Sequence, residues 1–204
     1  MRSTRPARRA TSVVATLVGA LTVTVVPTEA AQASTECGVR ITTAPLVAFG
    51  DTNSYFPLEG GTFESGDLST FDLTGTPSIV QENEPWQVLD PADARSLALP
   101  PGAVLKATFC VQWGEDSMRV FAKSPGLSGS SLTVRTTVAT TYGSSVTMST
   151  MIGGSQAGWT LSPRIPLPNL LAIDGRQYVT VSFKNTGTGT WQLDDLLVDP
   201  WRTL

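Results

Sequence analysis

Histidine is absent from the 204 residues of this sequence. Its absence removes the side chain most used as general base and zinc ligand near neutral pH, and with it the Ser-His-Asp hydrolases and most zinc enzymes. No G-x-S-x-G elbow is present either. Clustered positive charge is also missing: beyond the first residues, Lys and Arg stand singly from Arg40 to Arg202. A nucleic-acid surface groups them against phosphates, so no nucleic-acid partner is expected. Cysteine is scarce, and Cys37 and Cys110 lack the CxxC spacing of redox or metal pairs. In an oxidising compartment such an isolated pair forms one disulfide. Closing a loop of about 70 residues stabilises by roughly 3–5 kcal/mol on the chain-entropy account. Sustained helical periodicity and repeats of 20–50 residues are lacking too.

What is present begins with export. Arg2, Arg5, Arg8 and Arg9 precede an apolar stretch over residues 12–26, followed by Pro27 and the A-x-A run Ala31-Gln32-Ala33. Residues 1–33 read as a signal peptide cleaved after Ala33. An apolar stretch of about 15 residues falls short of the roughly 20 that span a bilayer, so no membrane contact is expected after cleavage. The Arg8-Arg9 pair leaves twin-arginine and general export both open. The remaining 171 residues hold 10 basic and 16 acidic side chains, a formal charge of −6. That length suits one domain, placed at 50–204 behind a segment, 34–49, tied by Cys37. The expected location is secreted and extracellular.

Short Val-, Thr- and Leu-rich segments alternate between Gly, Pro and Ser clusters, the pattern of strands and turns. Over 131–139, Leu132, Val134 and Val138 oppose Thr133, Arg135 and Thr137, as in a strand with one buried side. Over 178–184, Val179, Val181 and Phe183 oppose Tyr178, Thr180, Ser182 and Lys184. Further strands are expected at 103–112, 118–123, 145–151 and 190–198, with an irregular crossing and one helical turn over 163–174. The class expected is all-β: a two-sheet jelly-roll β-sandwich with short irregular or single-turn helical connections.

Two runs then stand out: Glu59-Gly60-Gly61-Thr62-Phe63-Glu64-Ser65-Gly66, and Trp191-Gln192-Leu193-Asp194-Asp195-Leu196-Leu197-Val198-Asp199-Pro200. They resemble the opening strand, "N-G-x-F-E-x-G", and the closing strand, "W-x-I-D-D-V-x-V", of the galactose-binding-like jelly rolls, a superfamily that includes carbohydrate-binding modules. Glu59 and Gly60 replace the Asn. Ser96-Leu97-Ala98-Leu99 before Pro100-Pro101-Gly102, and Gly158-Trp159, resemble internal motifs of the same fold. More narrowly, Phe109-Cys110-Val111, the run 118–123 and the 191–201 tail resemble a family of secreted actinobacterial proteins from which no activity carries over. The superfamily resemblance implies a structural calcium ion held by Glu64 and Asp194, with Asp195 as the substitute ligand. Calcium takes 6–8 oxygen ligands without nitrogen or sulfur. Adjacent strand residues face opposite sides, so one aspartate is expected in solvent unless the strand ends or bulges there. The plainer alternative has Glu64 accepting turn hydrogen bonds and both aspartates facing water.

The resemblance further implies sugar binding by exposed rings and polar groups. Trp86 and Trp113, each beside turn residues, with Tyr142 and Arg135, are the ligand-binding candidates; Tyr55 is a further ring beside turns. Trp159, Trp191, Phe63, Phe109 and Phe183 are expected in the core. Arg119, Arg135 and Lys123 could line a polar sheet face with Tyr178. Glu115-Asp116 are neighbours in a turn, a poor match for carboxylates that must flank a glycosidic bond. Two functions stay open: a secreted non-catalytic module for glycan or cell-surface polysaccharide, and a structural or interaction protein of the cell envelope without a small ligand. Oligomeric state is not readable from the residues.

Overall fold

Alternation of buried and exposed residues shapes the longest strands of the computed structural model, which describes residues 37–140, 143–170 and 176–200. The signal peptide read at 1–33, Tyr142 and part of the 163–174 crossing lie outside the described residues. The strands are β1 (Phe56–Pro57), β2 (Asp72–Thr74), β3 (Ser78–Val80), β4 (Ser96–Leu99), β5 (Val104–Gln112), β6 (Ser117–Pro125), β7 (Ser131–Ala139), β8 (Ser145–Gly153), β9 (Ala157–Leu161), β10 (Ile165–Pro166), β11 (Arg176–Asn185) and β12 (Trp191–Asp199). All six strands expected at named spans are present, with ends shifted by one or two residues. Among the described residues the one helical element is a 3-10 turn, Val47–Phe49. The described part of 163–174 contributes β10, paired to β6, and residues 171–174 of the span read as a helical turn lie outside the described residues.

These strands form two antiparallel sheets. One runs β10-β6-β12-β4-β3, with β1 also on β12 and β9 also on β6; the other runs β2-β5-β11-β7-β8. The molecule is therefore the two-sheet β-sandwich expected. Between the sheets, Leu97, Leu105, Val134, Val181, Phe183 and Trp191 are fully buried, and the Trp191 indole N–H donates to Ser130 Oγ at 2.8 Å. Phe63 is also fully buried, whereas Phe109 and Trp159 are half-buried.

A second, smaller core lies on the far side of the seven-stranded sheet. Leu46, Tyr55, Phe121 and Leu197 form it, with Phe49, Val88 and Trp159 packed against them. Residues 43–55 and the β3–β4 loop thus cover a face that a simple sandwich leaves to water. This explains why β6 and β12 are buried along nearly their whole length rather than at every second residue: they are covered on both faces. Beneath this layer, Asp199 is fully buried and accepts from Asn53 Nδ2 at 2.9 Å and Arg164 Nη2 at 2.8 Å. Asp51 accepts from Tyr55 OH at 2.7 Å and Arg119 Nη1 at 3.1 Å. Burial and the adjacent carboxylates of Asp51 and Asp199 push the Tyr55 phenol far above its ordinary value. Nearer the chain's start, the disulfide Cys37–Cys110 and the Arg40–Glu115 ion pair at 3.0 Å hold residues 37–41 against the end of β5.

Strands β1 and β12 pair, Phe56 with Val198 and Pro57 with Leu197, whereas the run 59–66, read as the opening strand, forms turns directly after β1 rather than a strand. The contact continues past β1: Leu58 N–H donates to Leu196 O at 2.8 Å, and Leu196 N–H donates to Gly61 O at 3.0 Å. A side chain at Gly61 would place its Cβ 2.9 Å from Leu196 Cβ and 3.1 Å from Leu58 O, closer than packed atoms approach. Gly61→Ala is therefore expected to lower stability by about 1–3 kcal/mol through overpacking, read as a fall in the urea midpoint at unchanged slope.

Candidate functional site

Strand β12 carries Asp194 and Asp195 at a break in its ladder. Its register with β6 shifts between Asp194 and Leu197, and Asp195 has φ 49°, a left-handed backbone that aspartate tolerates better than most residues. The break turns both carboxylates inward: Asp194 is 0% and Asp195 2% exposed. The expectation that one of them would be solvated is corrected by this bulge, which cancels the strict alternation of a regular strand. Asp194 Oδ2 accepts the Glu84 N–H at 3.1 Å, and Oδ1 accepts the Asp195 N–H at 3.0 Å. No donor among the described residues reaches the Asp195 carboxylate.

The surroundings are acidic. Glu84, 1% exposed, accepts the N–H groups of Trp86 at 2.6 Å and Val88 at 2.7 Å. Glu64 Oε1 accepts the N–H groups of Ala94 at 2.9 Å and Arg95 at 2.7 Å, which is the turn-bonding role of the plainer alternative. Glu64 also lies near enough to raise the pKa of Asp195, as do Glu84 and Asp93. Loss of hydration, then the neighbouring Asp195, pushes Asp194 up to about 9. The same loss, then Glu84, Asp93 and Glu64, pushes Asp195 up to about 8. Asp93 is raised as well, by burial and by Glu64 and Asp90.

Like charges so buried require either protons or a cation. The donors are all oxygens, which suits a hard ion of the calcium type. Among the described residues no three acidic side chains converge as a ready-made metal cluster, so an ion would take Asp195, with Glu64 or Asp194, and backbone carbonyls. Sequence reasoning missed Glu84 and Asp93. Neither falls in a motif, and only the folding of the β3–β4 loop over β12 brings them in.

The ligand-binding candidates do not assemble into one place. Trp86, 45% exposed, packs edge-on to Phe49 at 4.9 Å and tilted against Phe121 at 5.5 Å; it belongs to the outer core of the seven-stranded sheet. Trp113, 59% exposed, sits in the β5–β6 turn. Arg135 is on the outer face of the five-stranded sheet. Arg119 and Lys123 are on the other sheet, held by Asp51 and Glu82. Glu115 is buried and bound by Arg40 and the Gln112 N–H, a structural carboxylate.

That outer face has a consistent chemistry. Along β11, Tyr178, Thr180, Ser182 and Lys184 point to it, and Tyr178 is 62% exposed. Beside them stand Thr108, whose hydroxyl is 2.8 Å from that of Thr180, and Thr137, 3.0 Å from Thr147. Arg135 pairs with Ser182 in the ladder and Lys106 pairs with the same serine from the other side. Tyr178 borders a groove of about 620 Å³ that also meets Arg40, Glu59, Phe71 and Phe109. At the other end, Thr133, Arg135, Ser182, Lys184 and Thr186 line a cleft of about 150 Å³. From Tyr178 to Lys184 the strand covers about 20 Å.

No protein-family model matches this chain, and no curated protein does. Solved structures do. The enzymatically active domain of tailspike protein 4 from bacteriophage CBA120 superposes with TM-score 0.51 at 13% identity, over 70% of this chain and 21% of that one. The chain thus spans about a fifth of the tailspike's length. The CBM22-1 xylan-binding domain of Paenibacillus barcinonensis Xyn10C matches with TM-score 0.47 at 10% identity, over 68% of this chain and 90% of that one. TmCBM61 in complex with beta-1,4-galactotriose matches with TM-score 0.42 at 18% identity, over 69% and 95%. At such identities the tailspike likeness speaks for the sandwich fold alone.

The buried aspartates set a pH dependence. Without divalent cations the folded chain keeps protons on Asp194 and Asp195 up to pH about 8–9, whereas the unfolded chain releases them near pH 4. Folding therefore takes up protons across that window, and stability falls as pH rises through it. In chelator the melting temperature is expected to be lower at about pH 8.5 than at about pH 5.5, and Asp195→Asn to flatten the slope. A melting temperature that climbs over this interval in the unaltered protein contradicts the assignment.

Proposed function

We propose that this protein is a secreted, non-catalytic module that binds glycan or cell-surface polysaccharide on the outer face of its five-stranded sheet. One observation carries the reading: β11 presents exposed Tyr178 and Lys184 on one face with Thr180 and Ser182 between them, Tyr178 bordering the groove and Lys184 lining the cleft beside Arg135. A ring of this kind stacks on the apolar face of a pyranose, while Arg135 and the threonine hydroxyls suit the sugar hydroxyls. Export is supported by the signal-peptide pattern of residues 1–33 and is compatible with the Cys37–Cys110 disulfide. No helix among the described residues is long and apolar enough to cross a membrane.

The non-catalytic reading rests on the missing histidine and on the structural engagement of Glu115. The alternative, a structural or interaction protein of the envelope, is favoured by one feature, the open edge of β8, taken up below. On a glycan array, binding by the mature protein is expected to drop by about tenfold or more in Tyr178→Ala and in Arg135→Ala, since loss of one central ring or charge removes on the order of 1–2 kcal/mol. Binding lost instead in Trp113→Ala moves the site to the β5–β6 turn; silence across all glycans favours the envelope role.

Calcium belongs to the same proposal, as a staple between the opening and closing segments rather than a reagent. Asp195 with Glu64 or Asp194 would hold it, and its charge would replace the protons those carboxylates otherwise retain. The melting temperature at neutral pH is expected to rise on adding millimolar calcium and to return in chelator. An ion at roughly a hundred times its dissociation constant adds about 2.7 kcal/mol. Asp195→Asn is expected to abolish the response; an unaltered protein indifferent to calcium removes the metal from the account.

A further inference from the structure

Sheet edges expose unpaired backbone donors and acceptors that template further pairing, and proteins blunt them with short strands, proline, charge or cover. Nearly every edge here is so treated. Strands β1 and β10 are two residues long and carry Pro57 and Pro166. Strands β2 and β3 have three residues each, with Asp72 of β2 ion-paired to Lys106. Beyond β2, the edge of β5 is covered by residues 37–41, where Arg40 Nη2 donates to Cys110 O at 2.8 Å. At five residues, β9 is interrupted by Gly158 at φ 118°.

Strand β8 is the exception. It closes the five-stranded sheet with nine residues, Ser145–Gly153, and pairs with β7 along its whole length in unbroken register. Among the described residues nothing pairs with its other side. It contains no charged residue and no proline, and its side chains are mostly exposed, Met148 at 39% and Met151 at 70%. Met148 stands opposite buried Thr136 in the ladder, on the core side of the sheet, so the sandwich is open at this edge.

We infer that β8 is a self-association edge, on which a second copy of this chain adds its own β8 antiparallel to extend the five-stranded sheet. The occupant follows from the strand's self-complementarity. A two-fold axis at Ser149 sets Ser145 against Gly153, Val146 against Ile152, Thr147 against Met151 and Met148 against Thr150. Each pair unites residues of the same face, so a second β8 closes the apolar core row over Met148 and brings no like charges together. Closed two-fold symmetry is the commonest form of such contacts. A nine-residue edge is small beside a standard interface of about 1,600 Å², so association on the order of micromolar is expected. Because the axis stands perpendicular to the sheet, both outer faces turn the same way. A polysaccharide would then meet two binding tracks at once, a consequence that rests on the glycan reading whereas the pairing does not.

Sedimentation equilibrium of the mature protein without glycan tests the pairing. The unaltered chain is expected to show a concentration-dependent monomer–dimer equilibrium. Thr147→Lys with Met151→Lys places lysine against lysine at two points and weakens the dimer by about tenfold or more. Thr147→Glu with Met151→Glu does the same. An equimolar mixture of the two double variants is expected to dimerise again, since the charges then alternate across the seam. Both positions are solvent-exposed, so unchanged melting temperatures separate lost pairing from lost folding. A strictly monomeric unaltered chain, open-ended assemblies in place of a dimer, or failure of the mixture to recover overturns the inference.

Discussion

Strand β12 has to serve three partners with one backbone. Along one edge it pairs with β6; along the other it meets β4 over Trp191 to Leu193 and β1 over Leu197 and Val198. Between those two partners Asp195 adopts its left-handed backbone and Leu196 exchanges hydrogen bonds with Leu58 and Gly61. The opening and closing segments of the domain are joined at this break, and the Gly61 contact depends on it. So does the acidic cluster, because only a bulge lets adjacent aspartates turn to the same interior.

Burying that cluster sets protonation against ion binding. The β3–β4 loop folds over β12 and spends both Glu84 oxygens and the Glu84 N–H on the local backbone and on Asp194. The Asp195 carboxylate is left facing other carboxylates. The loop that covers the acidic pocket also brings Trp86 onto Phe121. Carboxylate burial and the second core on the seven-stranded sheet are thus parts of one cover. The opposite sheet keeps a polar, hydroxyl-rich outer face.

The sequence read well where a strand has one wet side. Strands β7 and β11 alternate in the chain and alternate in the fold, and their outward rows were visible as rows. The spaced motifs at 59–66 and 191–200 marked which two segments meet, but the first folds as turns and the pairing strand is β1 just before it. Strands β1, β2, β3 and β10, at two or three residues each, are too short to show a period. Trp86 was read as a rim residue because it stands beside Pro85, but a turn residue can pack under its own loop, and nothing local records which. Glu84 and Asp93 looked like ordinary loop acids for the same reason.

By itself the sequence determined the class of the molecule: all-β, with a single cysteine pair available for a disulfide and no histidine chemistry. These follow from composition and from periodicity, which act locally along the chain. The tertiary structure decided which carboxylates share an interior, which sheet face stays open and which strand ends the sheet unpaired. Each depends on approaches between residues far apart in the chain, such as Glu84 and Asp194 at 110 positions' separation. Local patterns carry no information about such approaches until the loops are in place.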